Sequence, residues 1–107
     1  IKKVCGHPLT QKCAQKGRLI NCVITQCGKS GIFCSGNALI EVEGSQTKID
    51  GNGTNGHRFH YGLTTWDPSS RIHLLYPLTK ESVSTNNYNG QNYRINPTIK
   101  TVAMFER

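Results

Sequence analysis

The chain has no apolar run long enough to cross a bilayer. Its longest stretch, Leu19 to Ile24, is interrupted by Asn21 and falls far short of the roughly 20 apolar residues a spanning helix needs, so no membrane partner is expected. Acidic residues are scarce as well, six against thirteen basic ones, for a formal charge of +7. That imbalance suits an acidic partner such as nucleic acid, held through phosphate neutralisation that weakens as salt rises. The basic residues run from Lys2 to Arg107 without gathering in a tail, which favours a folded groove over a basic arm. Tight cysteine pairs are missing too: of Cys5, Cys13, Cys22, Cys27 and Cys34, no two lie closer than five positions. Structural zinc sites bring their ligands in close pairs, so neither a metal nor a cofactor is expected.

What is present describes an ordinary folded protein. Hydrophobic residues make up 36% and charged ones 18% of the 107 positions, which excludes a disordered chain and fits one domain over residues 1–107. Residue 1 is isoleucine rather than methionine, as expected after removal of a leader or after trimming. Five cysteines crowded into the first third point to an oxidising, secreted history. The odd count leaves one thiol unpaired in a monomer and permits a covalent dimer. Were Cys13 and Cys27 on one straight helix, they would stand roughly 21 Å apart, beyond disulfide reach. Asn52-Gly53-Thr54 forms a glycosylation sequon, whereas the proline of Asn96-Pro97-Thr98 disables a second.

Hydrophobic spacing predicts one amphipathic helix from Thr10 to about Cys27, entered behind Pro8 and ended by Gly28-Lys29-Ser30-Gly31. Strands are expected at Ile32–Cys34, Ala38–Glu43, His57–Leu63, Arg71–Leu78 and from Ile99 to the C-terminal end. Polar, glycine-rich residues 44–56 and the segment Thr79–Asn92 read as loops. A helix followed by antiparallel strands is an α+β architecture.

Order and spacing then bring a family into view. Gly56-His57-Arg58-Phe59-His60, Leu75-Tyr76-Pro77-Leu78, Tyr88-Asn89-Gly90 leading to Tyr93-Arg94-Ile95, and Val102-Ala103-Met104-Phe105-Glu106 resemble the small fungal guanyl-specific ribonucleases over the last fifty residues. The resemblance implies an N-terminal helix packed on a curved antiparallel sheet. It aligns the family's first histidine with His57 and its arginine with Arg94, while the general base becomes Leu75 and the final histidine becomes Glu106. Leucine transfers no proton, and a surface glutamate is ionised at neutral pH and donates none. The implied protein is therefore a pseudo-ribonuclease without catalytic residues, similar to the RNase-like secreted effectors of powdery-mildew-type fungi. Such a protein is expected to act after translocation into host cells, binding RNA or a host protein such as an immune receptor. The alternatives are an active guanyl-preferring ribonuclease releasing 2′,3′-cyclic phosphate, and a disulfide-stabilised structural or inhibitory protein.

For binding rather than turnover, the residues of interest are His57, Arg58, Tyr76, Tyr88, Tyr93 and Arg94. Imidazole and guanidinium groups meet phosphates, and tyrosines stack on bases or anchor proteins. Arg94 could equally pair with Glu106 across neighbouring strands. Trp66, beside the Pro68 turn, reads as a core or loop anchor.

Overall fold

The computed structural model describes residues 2–4, 9–11, 16–56, 58–94 and 97–104. The chain runs in circuits. Strands β1 (Lys2–Val4), β2 (Leu9–Gln11) and β3 (Lys16–Ile20) make the first coil; β4 (Val23–Thr25), β5 (Ile32–Cys34) and β6 (Leu39–Glu43) make the second. The third consists of β7 (Lys48–Asp50), β8 (Leu63–Thr65) and β9 (Arg71–Leu75). The short helix α1 (Lys80–Val83), β10 (Ser84–Thr85), a bridge from Tyr93 to Leu63, and β11 (Ile99–Val102) make the fourth. Corresponding strands of successive coils pair in parallel, building one sheet from β1, β4, β7 and β10, a second from β2, β5 and β8, and a third from β3, β6, β9 and β11. The result is a parallel β-solenoid-like stack.

In-register parallel pairing puts like side chains on top of one another, and here those columns are the core. Ile40, Ile72 and Ile99 stack in the third sheet beside Val42 and Leu74; Ile32 stacks on Leu63 in the second; Ile24 stacks on Ile49 in the first. All of these side chains are buried, and Leu78 and Val83 join them near α1. Burying each aliphatic side chain contributes about 1.5–3 kcal/mol. β-Branched isoleucine and valine suit such columns because their restricted rotamers already match the extended backbone.

The corner after the first sheet repeats from coil to coil. Ile24-Thr25-Gln26-Cys27, Ile49-Asp50-Gly51-Asn52 and Ser84-Thr85-Asn86-Asn87 superpose in register, and the third residue of each is left-handed, with φ of 59° at Gln26, 66° at Gly51 and 53° at Asn86. That conformation turns the chain out of the sheet and is tolerated best by glycine and asparagine. Turning leaves the next backbone N–H buried without a strand partner, and an asparagine supplies the acceptor, one coil on for Cys27 and Asn52 and within the same last coil for Asn87. Cys27 N donates to Asn52 Oδ1, Asn52 N to Asn87 Oδ1 and Asn87 N to Asn92 Oδ1, each at 3.0 Å. The amide groups complete the ladder by donating to strand carbonyls, Asn52 Nδ2 to Ile24 O at 3.1 Å and Asn87 Nδ2 to Ile49 O at 3.4 Å. Gly62 passes so close to Ser84, Asn87 and Asn92 that a Cβ there would collide with them.

This architecture overturns the expected α+β fold with its antiparallel, ribonuclease-like sheet. The described residues of Thr10–Cys27 are not a helix but belong to β2, β3 and β4 and the corners beside β4. Asn21 and Gln26 both have positive φ, at 51° and 59°, which no right-handed helix accommodates. The apolar spacing there reflects inward-facing strand residues such as Ile24, while Ile20 points outward and is 51% exposed. The segment expected to be a loop at residues 44–56 contains β7, and Thr79–Asn92 contains α1 and β10. Among the described residues of the expected strand at His57–Leu63, only Leu63 is strand, and it begins β8; His57 lies outside the described residues. Among the described residues, no helix is long and apolar enough to cross a membrane.

Two further expectations change. Asn52 is fully buried in the ladder, so the folded protein offers no acceptor for a glycan. Cys22 and Cys34 are free thiols while Cys27 is disulfide-bonded. Cys5 and Cys13 lie outside the described residues, and the helical distance bound on Cys13 and Cys27 lapses with the helix.

Replacing Asn87 by alanine orphans the Asn52 N–H and strips a donor from Ile49 O. We expect about 2–3 kcal/mol of lost stability, since a buried unsatisfied group costs about 1–3 kcal/mol, read as a lower urea midpoint at unchanged slope. Produced in a eukaryotic secretory host, the folded fraction should carry no sugar at Asn52 by mass spectrometry. A glycosylated, folded species would contradict the ladder.

Candidate functional site

The second sheet presents the most distinctive outer surface. In β5, Ile32 and Cys34 point inward, leaving Phe33 outward and half-buried. One coil on, Thr64 stacks on Phe33, and the Leu63–Tyr93 bridge sets Arg94 above Thr64, with Arg94 N donating to Leu63 O at 2.9 Å. Trp66, just past β8, is anchored by its N–H to Cys34 O at 2.9 Å and leaves half its surface exposed. Phe59 arrives from the preceding loop, which Gln91 Nε2 fastens through Arg58 O at 3.2 Å and His60 O at 2.8 Å.

Three rings and two guanidinium groups therefore meet. Trp66 lies 6.2 Å from Phe33 and 6.0 Å from Phe59, the latter edge to face, the geometry that ring quadrupoles prefer. Arg58 sits 4.8 Å over the Phe59 ring, and Arg94 5.3 Å over Trp66. Arg94 Nη1 also reaches the carbonyls of Thr65 and Trp66, both at 3.4 Å. Stacking holds the planar guanidinium groups in place while their donor edges stay available to an oxyanion. Among the described residues, no carboxylate pairs with either arginine.

Asp67, the nearest acid in sequence, is occupied elsewhere. Its Oδ2 accepts from Gly36 N at 2.9 Å, and its Oδ1 from Ser69 N at 3.2 Å, Ser69 Oγ at 2.7 Å and Ser70 Oγ at 2.8 Å. These donors, the Gly36 N–H foremost, lower its pKa from 3.8 to about 2. The carboxylate thus ties the Trp66 turn to the corner at Gly36.

The outer face of the third sheet carries a different arrangement. Arg18, Glu41, His73 and Lys100 stand in register across four strands. Glu41 is buried beneath this row and accepts from Arg18 Nη2 at 3.0 Å, and Arg18 also lies 3.7 Å from Glu43. A carboxylate engaged in this way is an ion-pair acceptor rather than a general acid. Cys34 is no nucleophile either: burial raises its thiol pKa, and the sulfur donates to Ala38 O and Arg71 O. No group of three His, Cys, Asp or Glu side chains among the described residues could hold a metal ion.

Of the residues expected to form a degenerate ribonuclease site, the two that are described, Leu75 and Arg94, lie on different sheets. Leu75 ends β9 on the third sheet, opposite Val102, whereas Arg94 extends the second. His57 and Glu106 lie outside the described residues. Of the binding candidates, Arg58 and Arg94 do converge. Tyr93 lies under Lys80 Nζ at 5.2 Å, Tyr88 rests against Gly53 and Gly56, and Tyr76 is 72% exposed just past β9. Phe33, Phe59 and Trp66 were not expected in the site. For Phe33 the signal was available, as the outward residue between two inward ones.

No family model, curated protein or solved structure matches the chain. The argument for function therefore rests on this surface.

Because the folded pKa of Asp67 lies below its unfolded value, its stabilising contribution is complete above about pH 4 and fades as pH falls from 3.8 towards 2. Asp67→Asn should lower the urea midpoint at pH 6, and the gap to the unsubstituted protein should close by about pH 2. An undiminished gap at that pH would assign the effect to something other than carboxylate charge.

Proposed function

We propose that this chain is a non-catalytic binding protein whose stacked coils present the Arg58, Phe59, Trp66 and Arg94 surface to a polyanionic partner. One observation carries the reading: two guanidinium groups lie over exposed rings of a single patch, with no described carboxylate neutralising them. The formal charge of +7 adds long-range attraction for the same class of partner. Exposed aromatic rings beside arginine are also the composition favoured at the centres of binding surfaces.

The binding half of the ribonuclease-like reading keeps this support, because Arg58 and Arg94 were its cationic residues. The wider reading as a host-directed effector leans on an antiparallel scaffold this chain does not have, and it is not carried further. Secretion belongs to the proposal, supported by the disulfide at Cys27, since such bonds persist in oxidising compartments.

The test is titration of the disulfide-intact protein with inorganic polyphosphate over a series of salt concentrations. Binding should weaken linearly in log–log form, and Arg58→Ala or Arg94→Ala should each reduce the slope by about one. Arg18→Ala, on the third sheet, should leave the slope alone. Equal losses from all three variants would point to diffuse charge and sink the assignment to this patch.

A further inference from the structure

The polyanion reading leaves part of the surface unexplained. Phosphate neutralisation needs only the guanidinium groups, yet Trp66 and Phe59 expose 50% and 43% of their surface beside them. Large rings left in water next to fixed cations match a ligand with both an anionic backbone and flat apolar faces.

We infer that the patch takes a single-stranded nucleic acid, with unpaired bases stacking on the Trp66 and Phe59 rings while Arg58 and Arg94 meet the flanking phosphates. This rests on the polyanion reading and deepens it. Bases stack on aromatic rings and on guanidinium planes alike, so a base entering here meets either surface of an existing ring–arginine pair, Trp66 with Arg94 or Phe59 with Arg58. A sulfated or carboxylated saccharide satisfies the charge but brings no planar π system to the rings. A duplex hides its base faces within its own stack and meets only the guanidinium groups.

The geometry suits a strand rather than a single nucleotide. Trp66 and Phe59 stand edge to face at 90° with centroids 6.0 Å apart, so one flat base cannot lie on both rings at once, and two bases must diverge to use them. An unpaired strand, whose bases splay freely, meets that demand. The patch is also held from both sides of the sequence: Gln91 fastens the Phe59 loop and Arg94 overlies Trp66, so the last coil and the third coil must both be folded for the surface to exist. Gln91 through Arg94 belong to the segment that adds the fourth rung to the second sheet.

Trp66 is the only tryptophan in the chain, which makes its fluorescence a direct report on stacking. The full, disulfide-intact protein is titrated with a ten-nucleotide oligo(A), the same oligonucleotide annealed to its complement, polyphosphate of equal charge, and a sulfated oligosaccharide. The single strand should quench Trp66 emission and bind at least tenfold more tightly than polyphosphate. Phe59→Leu and Trp66→Leu should each weaken the single strand about tenfold, within the range measured for base stacking, and weaken polyphosphate, which loses only the ring beneath one arginine, by a distinctly smaller factor. Because Trp66→Leu removes the reporter, its affinities are read from a fluorophore on the ligand, and the thermal midpoint of each variant verifies folding. Phe59→Leu, on a loop, keeps the test open if Trp66→Leu fails to fold. Polyphosphate, duplex or saccharide binding as well as the single strand, without quenching, overturns the base-stacking inference while the polyanion reading stands. No binding of any of the four ligands at low salt overturns both.

Discussion

Everything in this molecule depends on how a buried corner satisfies its backbone. The second, third and fourth coils each leave the first sheet through one left-handed residue, Gln26, Gly51 or Asn86, and the N–H that follows has no strand partner. For Cys27 and Asn52 the acceptor comes from the asparagine of the next coil, Asn52 and Asn87 respectively, and in the last coil Asn92 serves Asn87 from within the same coil. A buried donor left unsatisfied costs about as much as a good hydrogen bond contributes. The ladder therefore locks the register between coils as well as closing the corner. A slip by one residue would strand the amides and turn the isoleucine columns outward.

Register in turn positions the surface. Phe33, Thr64 and Arg94 occupy one column only because β5, β8 and Tyr93 stack without offset. The chain spends the intervening residues on insertions, and one of them, residues 53–61, delivers Arg58 and Phe59 to the same face. Asp67 secures the other side by gathering the Gly36 N–H and the Ser69 and Ser70 groups. The patch is thus the meeting point of an insertion, a strand end and the final coil, on a frame whose rigidity comes from the core columns.

Parts of this fold were legible from the residues. Ile32–Cys34 reads as a strand and is one; Ala38–Glu43 reads as a strand, and β6 begins one residue later. Their direction of pairing did not follow, because alternation defines two faces of a strand and says nothing about its neighbour. Thr10–Cys27 misled for a physical reason: β3 and β4, joined by the short corner Asn21-Cys22, place apolar side chains at intervals that mimic a helical period. The corner repeats Ile24-Thr25-Gln26-Cys27, Ile49-Asp50-Gly51-Asn52 and Ser84-Thr85-Asn86-Asn87 were visible, yet they stand 25 and 35 residues apart, and the unequal spacing hides the repeat. In the site, Arg58 and Arg94 follow from charge and position, whereas Trp66 reads as a core or loop anchor because a large ring beside a proline turn often serves as one, and its place in an exposed patch shows only in the fold.

The sequence alone determined the electrostatic character, the lack of a spanning helix, and several strands. These follow from composition and from alternation within a few neighbouring residues. Only the tertiary structure decided that the strands run parallel, that Asn52 belongs to a ladder rather than to a glycan, and that Leu75 and Arg94 belong to different sheets. In a solenoid each residue's partner lies a whole coil away, and insertions of different length set that distance. Proximity here is decided by hydrogen bonds between coils, and no local pattern along the chain encodes where those bonds close.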